Sequence, residues 1–224
     1  MIEETLDIVS DGLRLEGRLV YAATTRGHAA VLLCPPHPFL GGDMDNNVVR
    51  ALVDELAACG MIVLRFNYRG IGGSEVARDL HADQAAFWRD STCPDYEAEI
   101  HRDCAAACAT LRRACPGVPL YLVGYSFGCL PALALSRTLP VARLLLVAPP
   151  LAKWTVTETD VNVDERSALY YAPGDFACPE DLARALFARL PRAHELRSFV
   201  DADHFFVGRE HELARAAAGF LDAA

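Results

Sequence analysis

Apolar and polar positions alternate at the start of the chain: Leu6 and Ile8, then Leu13, Leu15 and Leu19, are apolar with polar residues between them. A period of two marks strands with one buried face, and Asp11-Gly12 between the two runs predicts a tight hairpin turn. Residues 29–34 form an unbroken apolar run, as a strand covered on both faces requires. The next stretch, Pro35-Pro36-His37-Pro38-Phe39-Leu40-Gly41-Gly42, is neither helix nor central strand. From Asp45 the period shifts to about 3.6: Val48, Val49, Leu52, Val53 and Leu56 share one face, and Gly60 is placed to end the helix. Further strands are predicted over 61–66, 120–123, 144–148, 168–172 and 196–200. Further helices are predicted over 97–114, 127–139, 179–190 and 210–221. A hairpin followed by repeating strand and helix segments predicts one α/β domain over 1–224, with a mostly parallel central sheet and helices on both faces. Sites in such sheets form in the loops at the carboxyl ends of the strands.

Three of those loops carry candidate chemistry. Gly124-Tyr125-Ser126-Phe127-Gly128 has the G-x-S-x-G form between a predicted strand and a predicted helix. That geometry lifts a serine oxygen above the sheet, so Ser126 is the candidate nucleophile. Asp203-His204-Phe205-Phe206 follows the last predicted strand, and an imidazole there can take the serine proton at neutral pH. His194 precedes that strand and His211 lies in the last helix, so His204 is the candidate base. Asp175 follows the last strand but one, which completes the chain order Ser, Asp, His. A carboxylate there can orient the imidazole. Asp203 is too close to His204 in sequence to serve, and Asp201 and Asp160 are reserves. The oxyanion donors expected are the backbone N–H of Phe127 and one from 35–42. Prolines donate nothing, which leaves Phe39 first and Leu40 second. His37, Leu40, Tyr125 and Trp88 are expected to line the substrate pocket.

Charge and composition narrow the classes. A net charge of −9 argues against nucleic acid as a partner. Eight cysteines could suggest disulfides, yet most sit inside apolar patterns, where a reduced thiol packs as a small hydrophobe. No C-x-x-C pair occurs, and Cys104 and Cys108, four apart on a predicted helix, have no matching second pair, so no metal is expected. The acidic N-terminus does not have the pattern of a secretory signal, and no apolar run approaches the roughly 20 residues of a membrane helix. A cytoplasmic protein with reduced thiols and no membrane partner is expected; nothing in the sequence bears on oligomeric state. Arginine nearly replaces lysine, Lys153 being the one lysine, which reads as a compositional bias.

Several blocks together resemble a known group. They are Pro36-His37-Pro38 with Gly41-Gly42 and Asp45-Asn46-Asn47, Phe66-Asn67-Tyr68-Arg69-Gly70 with Gly73-Ser74-Glu75, the elbow at 124–128, and Asp203-His204-Phe205-Phe206. The chain is similar to the small bacterial predicted α/β-superfamily hydrolases related to dienelactone hydrolases. The resemblance spans about 33–206. It implies an α/β-hydrolase fold without a large cap, a triad of Ser126, Asp175 and His204, and no cofactor. The spacing of the glycine before Asp175 departs from the group's pattern, and so does the long stretch 77–96 with His81, Phe87, Trp88 and Asp90. That stretch is expected either to form a small lid over the pocket or to be a surface excursion.

The expected function is hydrolysis of small carboxylic esters or thioesters through an acyl-enzyme. Peptides are less favoured because no extended binding domain is visible. Lactone opening, carbon–carbon cleavage or cyclisation on the same triad is an alternative. A non-catalytic small-molecule binder is another, since a fold does not fix a reaction.

Overall fold

The computed structural model describes residues 1–23, 27–90, 93–157 and 166–223. The opening hairpin pairs β1 (Ile2–Ser10) with β2 (Leu13–Tyr21), antiparallel and in unbroken register. Asp11 and Gly12 both take positive φ, 50° and 81°, the twist-matched geometry that a two-residue hairpin turn prefers.

The remaining strands are β3 (Ala30–Cys34), β4 (Ile62–Phe66), β5 (Leu120–Tyr125), β6 (Arg143–Val147), β7 (Arg166–Tyr171) and β8 (Ala193–Ser198). The sheet order is β1-β2-β4-β3-β5-β6-β7-β8. β2 meets β4 antiparallel, and every pairing from β4 through β8 is parallel. Six strands therefore end on one side of the sheet, which is where all three candidate loops emerge.

The helices are α1 (Asn47–Ala58), α2 (His81–Asp90), α3 (Pro94–Ala114), α4 (Cys129–Ser136), α5 (Glu180–Arg189) and α6 (Glu210–Asp222). α1 packs with α6, and α3 packs with α4. β3 and β5 are buried along their whole length, as their unbroken apolar runs require. Asn46 caps α1 by accepting the Val48 N–H at 3.0 Å. Cys104 and Cys108 lie buried in α3 among core residues, so their four-residue spacing is a packing pattern.

Three elements differ from expectation. α3 starts at Pro94, three residues before the predicted start, because proline suits the first helical turn. The predicted helix over 127–139 is a 3₁₀ turn at Ser126–Gly128 followed by α4, which ends at Ser136. β8 begins at Ala193, so His194 lies within the strand instead of before it. It is a polar edge strand, and its apolar signal was too weak to set the start.

α2 had no clear periodic signal, and it lies within the stretch 77–96 expected to be either a small lid or a surface excursion. Among the described residues, none of 77–96 lines the cavity above Ser126. Instead, α2 turns Phe87 inward, buried against His37, with ring centroids 4.5 Å apart.

Candidate active site

The G-x-S-x-G turn is sterically determined. Ser126 has φ of 52°, a left-handed conformation that a non-glycine residue adopts at a cost. A Cβ on Gly124 would lie 2.5 Å from the Cys129 Cα, and one on Gly128 would lie 2.1 Å from the Cys34 carbonyl oxygen. Both clashes are with backbone, so no side-chain movement relieves them. Glycine at both positions lets β5, the turn and β3 approach closely enough to hold the serine at its angle.

The three candidate residues meet. Ser126 Oγ is 3.0 Å from His204 Nε2. His204 Nδ1 is 2.8 Å from Asp175 Oδ2 and 3.0 Å from Oδ1. All three side chains are buried. Asp175 Oδ1 also accepts the N–H groups of Ala177 and Cys178, at 2.7 and 3.0 Å. The carboxylate accepts Nδ1–H from His204, which leaves the Nε2 lone pair facing the serine. The other carboxylates stay away: Asp203 accepts the Phe205 N–H at 2.9 Å, and Asp201 is an exposed group 3.9 Å from Arg209. Asp160 lies outside the described residues. Two further contacts hold the histidine loop. Tyr125 donates its hydroxyl to the His204 carbonyl at 3.0 Å, and Asn47 donates its amide to the Phe205 carbonyl at 3.0 Å. The structure places Tyr125 as a wall of the cavity and a brace for the His204 loop.

The loop 35–42 folds differently from expectation. Pro38–Leu40 form a 3₁₀ turn whose cap is the His37 side chain, with Nδ1 accepting the Phe39 N–H at 3.2 Å. The Leu40 and Gly42 N–H groups go to the His37 carbonyl, at 3.0 and 3.1 Å. The Phe39 and Leu40 N–H groups are thus both engaged inside the turn, because the prolines close it tightly and a tight turn consumes its own amides.

His37 is 1% exposed and ringed by Phe39, Phe87, Phe127 and Trp154. Burial, reinforced by the nearby Lys153 ammonium, pulls its imidazole down from 6.5 to about 3. It is therefore neutral at any ordinary pH, with Nδ1 as acceptor and the proton on Nε2. The linkage sign follows from that lowered value. Between about pH 6.5 and 3 the unfolded chain binds a proton here that the folded chain does not, so stability falls as the pH drops through that window. For His37 the loss from pH 7 to pH 5 is about 2 kcal/mol. In His37→Asn, the amide oxygen can take over the Phe39 N–H without titrating. Urea unfolding at the two pH values is expected to show a drop about 2 kcal/mol smaller in the variant; equal drops would mean that folded His37 takes up the proton.

A cavity of about 340 Å³ opens over Ser126, His204 and Phe127. Of the expected pocket residues, His37, Leu40 and Tyr125 line it. Trp88 does not. It is 62% exposed, because consecutive helical residues point about 100° apart and Phe87 takes the inward face of α2. Three lining groups were not anticipated. One is the turn after β6, with Pro150, Lys153 and Trp154; the others are Phe176 next to Asp175 and Phe205 next to His204. The turn after β6 could have been found from its place at a strand's carboxyl end, and Lys153 from its rarity. Among the described residues, no group of three or more His, Cys, Asp or Glu side chains is arranged to hold a metal. None of the described helices is long and apolar enough to cross a membrane.

The profile of one protein family, serine aminopeptidase S33, matches residues 41–163, more than half of the chain. The chain belongs to the serine aminopeptidase S33 family. The matched region contains the Ser126 elbow and ends before Asp175 and His204. RP471, an uncharacterized protein of Rickettsia prowazekii, is 28% identical over 225 residues, covering 93% of this chain and 84% of that protein. Among solved structures, an α/β serine hydrolase homologue from Coxiella burnetii superposes with a TM-score of 0.83 at 24% identity, covering 100% and 99% of the two chains. XC6422 from Xanthomonas campestris, described as an α/β serine hydrolase without a lid, superposes with a TM-score of 0.81 at 21% identity, covering 98% and 94%. A dienelactone hydrolase from Anabaena variabilis does so at 0.77 with 15% identity, covering 99% and 97%. The S33-family chain has the α/β-hydrolase fold with no large cap domain.

Proposed function

We propose that this protein hydrolyses small carboxylic esters or thioesters, with Ser126 as nucleophile, His204 as general base and acid, and Asp175 orienting the imidazole. The observation that carries the reading is the continuous Ser126–His204–Asp175 hydrogen-bond chain of 3.0 and 2.8 Å at the floor of an open cavity. His204 Nε2 takes the hydroxyl proton as Oγ attacks the carbonyl carbon, then gives that proton to the leaving oxygen or sulfur. Water, activated by the same imidazole, releases the acid. The oxyanion is held by the Phe127 N–H. The second donor assigned to Phe39 requires its N–H to exchange His37 Nδ1 for the developing charge; each such donor is worth about 10²–10³ in rate.

The family description names aminopeptidases, but the cavity chemistry favours esters here. Recognition of a free peptide amino terminus calls for a carboxylate against the ammonium. Among the described residues, those lining this cavity include no aspartate or glutamate, and their one formal charge is the Lys153 ammonium.

Intact-mass labelling with a fluorophosphonate tests the reading. Wild type is expected to gain one adduct and Ser126→Ala none. A folded wild type that takes no adduct would overturn the assignment of an activated serine.

A further inference from the structure

Lys153 stands alone in its setting. The chain carries 30 acidic against 21 basic side chains, yet among the described residues the one charge lining the cavity is positive. The Lys153 ammonium lies over the Phe87 ring at 4.2 Å and the Trp154 ring at 4.1 Å, contacts that hold a cation without neutralising it. Among the described residues no carboxylate comes within 4.0 Å of it. Glu97, the acid whose charge acts on Lys153, is already engaged: Oε2 accepts the Trp154 indole N–H at 3.2 Å, and Oε1 accepts the Cys93 N–H at 3.2 Å. Glu97 thus fixes the tryptophan under the ammonium and does not pair with it.

A second unpartnered group faces the same wall. His37 Nδ1 accepts the Phe39 N–H, which leaves the proton on Nε2, and that buried nitrogen has no hydrogen-bond partner. The His37 ring also lines the cavity, stacked against Phe87, the ring that Lys153 covers. A buried donor without an acceptor is destabilising, so it is a feature that a ligand oxygen would satisfy.

The position of the base decides which half of the substrate meets this wall. His204 must reach the leaving group; Tyr125 stacks against its ring at 6.0 Å, and the two phenylalanines beside it are Phe176 and Phe205, at 5.3 and 5.4 Å. The leaving group therefore departs between those two phenylalanines. The acyl half lies on the other side of Ser126, against Phe127, whose ring meets His37 at 4.7 Å and Trp154 at 5.2 Å.

Resting on the esterase reading, we infer that the acyl group ends in a carboxylate held by Lys153 and the His37 Nε2–H, so that the substrates are half-esters or half-thioesters of dicarboxylic acids. Hydrolysis cleaves the bond from the acyl carbon to the leaving oxygen or sulfur. One water is consumed, and the products are a free dicarboxylate and an alcohol or thiol.

The test uses 4-methylumbelliferyl half-esters of the C4, C6 and C8 dicarboxylic acids beside neutral esters of the same lengths, with spontaneous hydrolysis subtracted. Wild type is expected to favour the half-ester at one length by about tenfold or more in kcat/KM, with a preference that shrinks as salt is raised. Lys153→Met should erase that ratio and Lys153→Glu should reverse it, in variants that melt as wild type does. Neutral esters cleaved as fast as half-esters at every length, or a preference that survives Lys153→Met, would overturn the inference and leave the esterase standing. A wild type that cleaves no ester and takes no fluorophosphonate would overturn the esterase reading itself.

Discussion

Asp175→Asn is expected to lower kcat against any accepted ester by about 10⁴ while leaving the fold and KM nearly unchanged. The reason lies in how the carboxylate is tied. Oδ1 accepts two backbone N–H groups, from Ala177 and Cys178, at 2.7 and 3.0 Å, while Oδ2 faces His204 Nδ1 at 2.8 Å. An asparagine must keep its carbonyl oxygen where the two N–H groups are, which turns its NH₂ toward His204. The imidazole then has to accept at Nδ1 and carry its proton on Nε2, pointing at Ser126. It keeps its position and loses its function as a base. Steady-state kinetics with a melting curve checks this. A loss of less than tenfold in a folded variant would remove Asp175 from the role of acid, and Asp160, outside the described residues, would become the next aspartate to replace.

The meeting of Ser126, Asp175 and His204 was legible because each sits at a strand's carboxyl end in a fixed order, and strand order is written in apolar runs that a parallel sheet makes conspicuous. The pocket walls were less legible, for a local reason. Trp88 was expected in the pocket as part of the stretch 77–96, either a small lid or a surface excursion. The helix phase of α2 was not readable from a weakly amphipathic segment, and phase turned Phe87 inward. The turn at 37–40 shows a different limit. Its prolines excluded two donors correctly, but whether the remaining N–H groups face outward depends on how tightly the turn closes. His37 Nδ1 closing over the Phe39 N–H is a side-chain contact with no trace in residue spacing. Lys153 was visible as a lone lysine and was read as composition. Only its seat over two rings, with no carboxylate of the described residues within 4.0 Å, gives it chemical content.

The Phe66–Gly70 block points beyond the triad to the largest stability effect expected in this chain. Its Arg69 and Asp103 of α3 form a buried pair, with guanidinium and carboxylate 4% and 0% exposed and Nη2 2.6 Å from Oδ1. Asp103 Oδ2 also accepts the Arg69 backbone N–H at 3.0 Å, and Tyr96 donates its hydroxyl to the Arg69 carbonyl at 2.9 Å. On its outer side the guanidinium reaches Asp11 of the hairpin turn at 3.0 Å. One side chain thus pins the β1–β2 turn, the segment after β4 and helix α3. Asp103→Ala strands the guanidinium on partly exposed Asp11 and on Glu99 at 3.6 Å, and strands the Arg69 N–H as well. Breaking a buried pair from one side costs about 3–5 kcal/mol. At about 2–4 °C per kcal/mol for a domain of this size, the melting point should fall by about 10 °C. Replacing both partners, as Arg69→Met with Asp103→Leu, removes the stranded charge and should recover at least half of that loss. None of these residues lines the cavity, so kcat below the transition should change by less than about threefold, inside the usual scatter of a remote substitution. Melting curves of the single and double variants decide between a pair that holds three elements together and a surface network of the usual small worth. A single-variant shift under about 3 °C would place it with the latter.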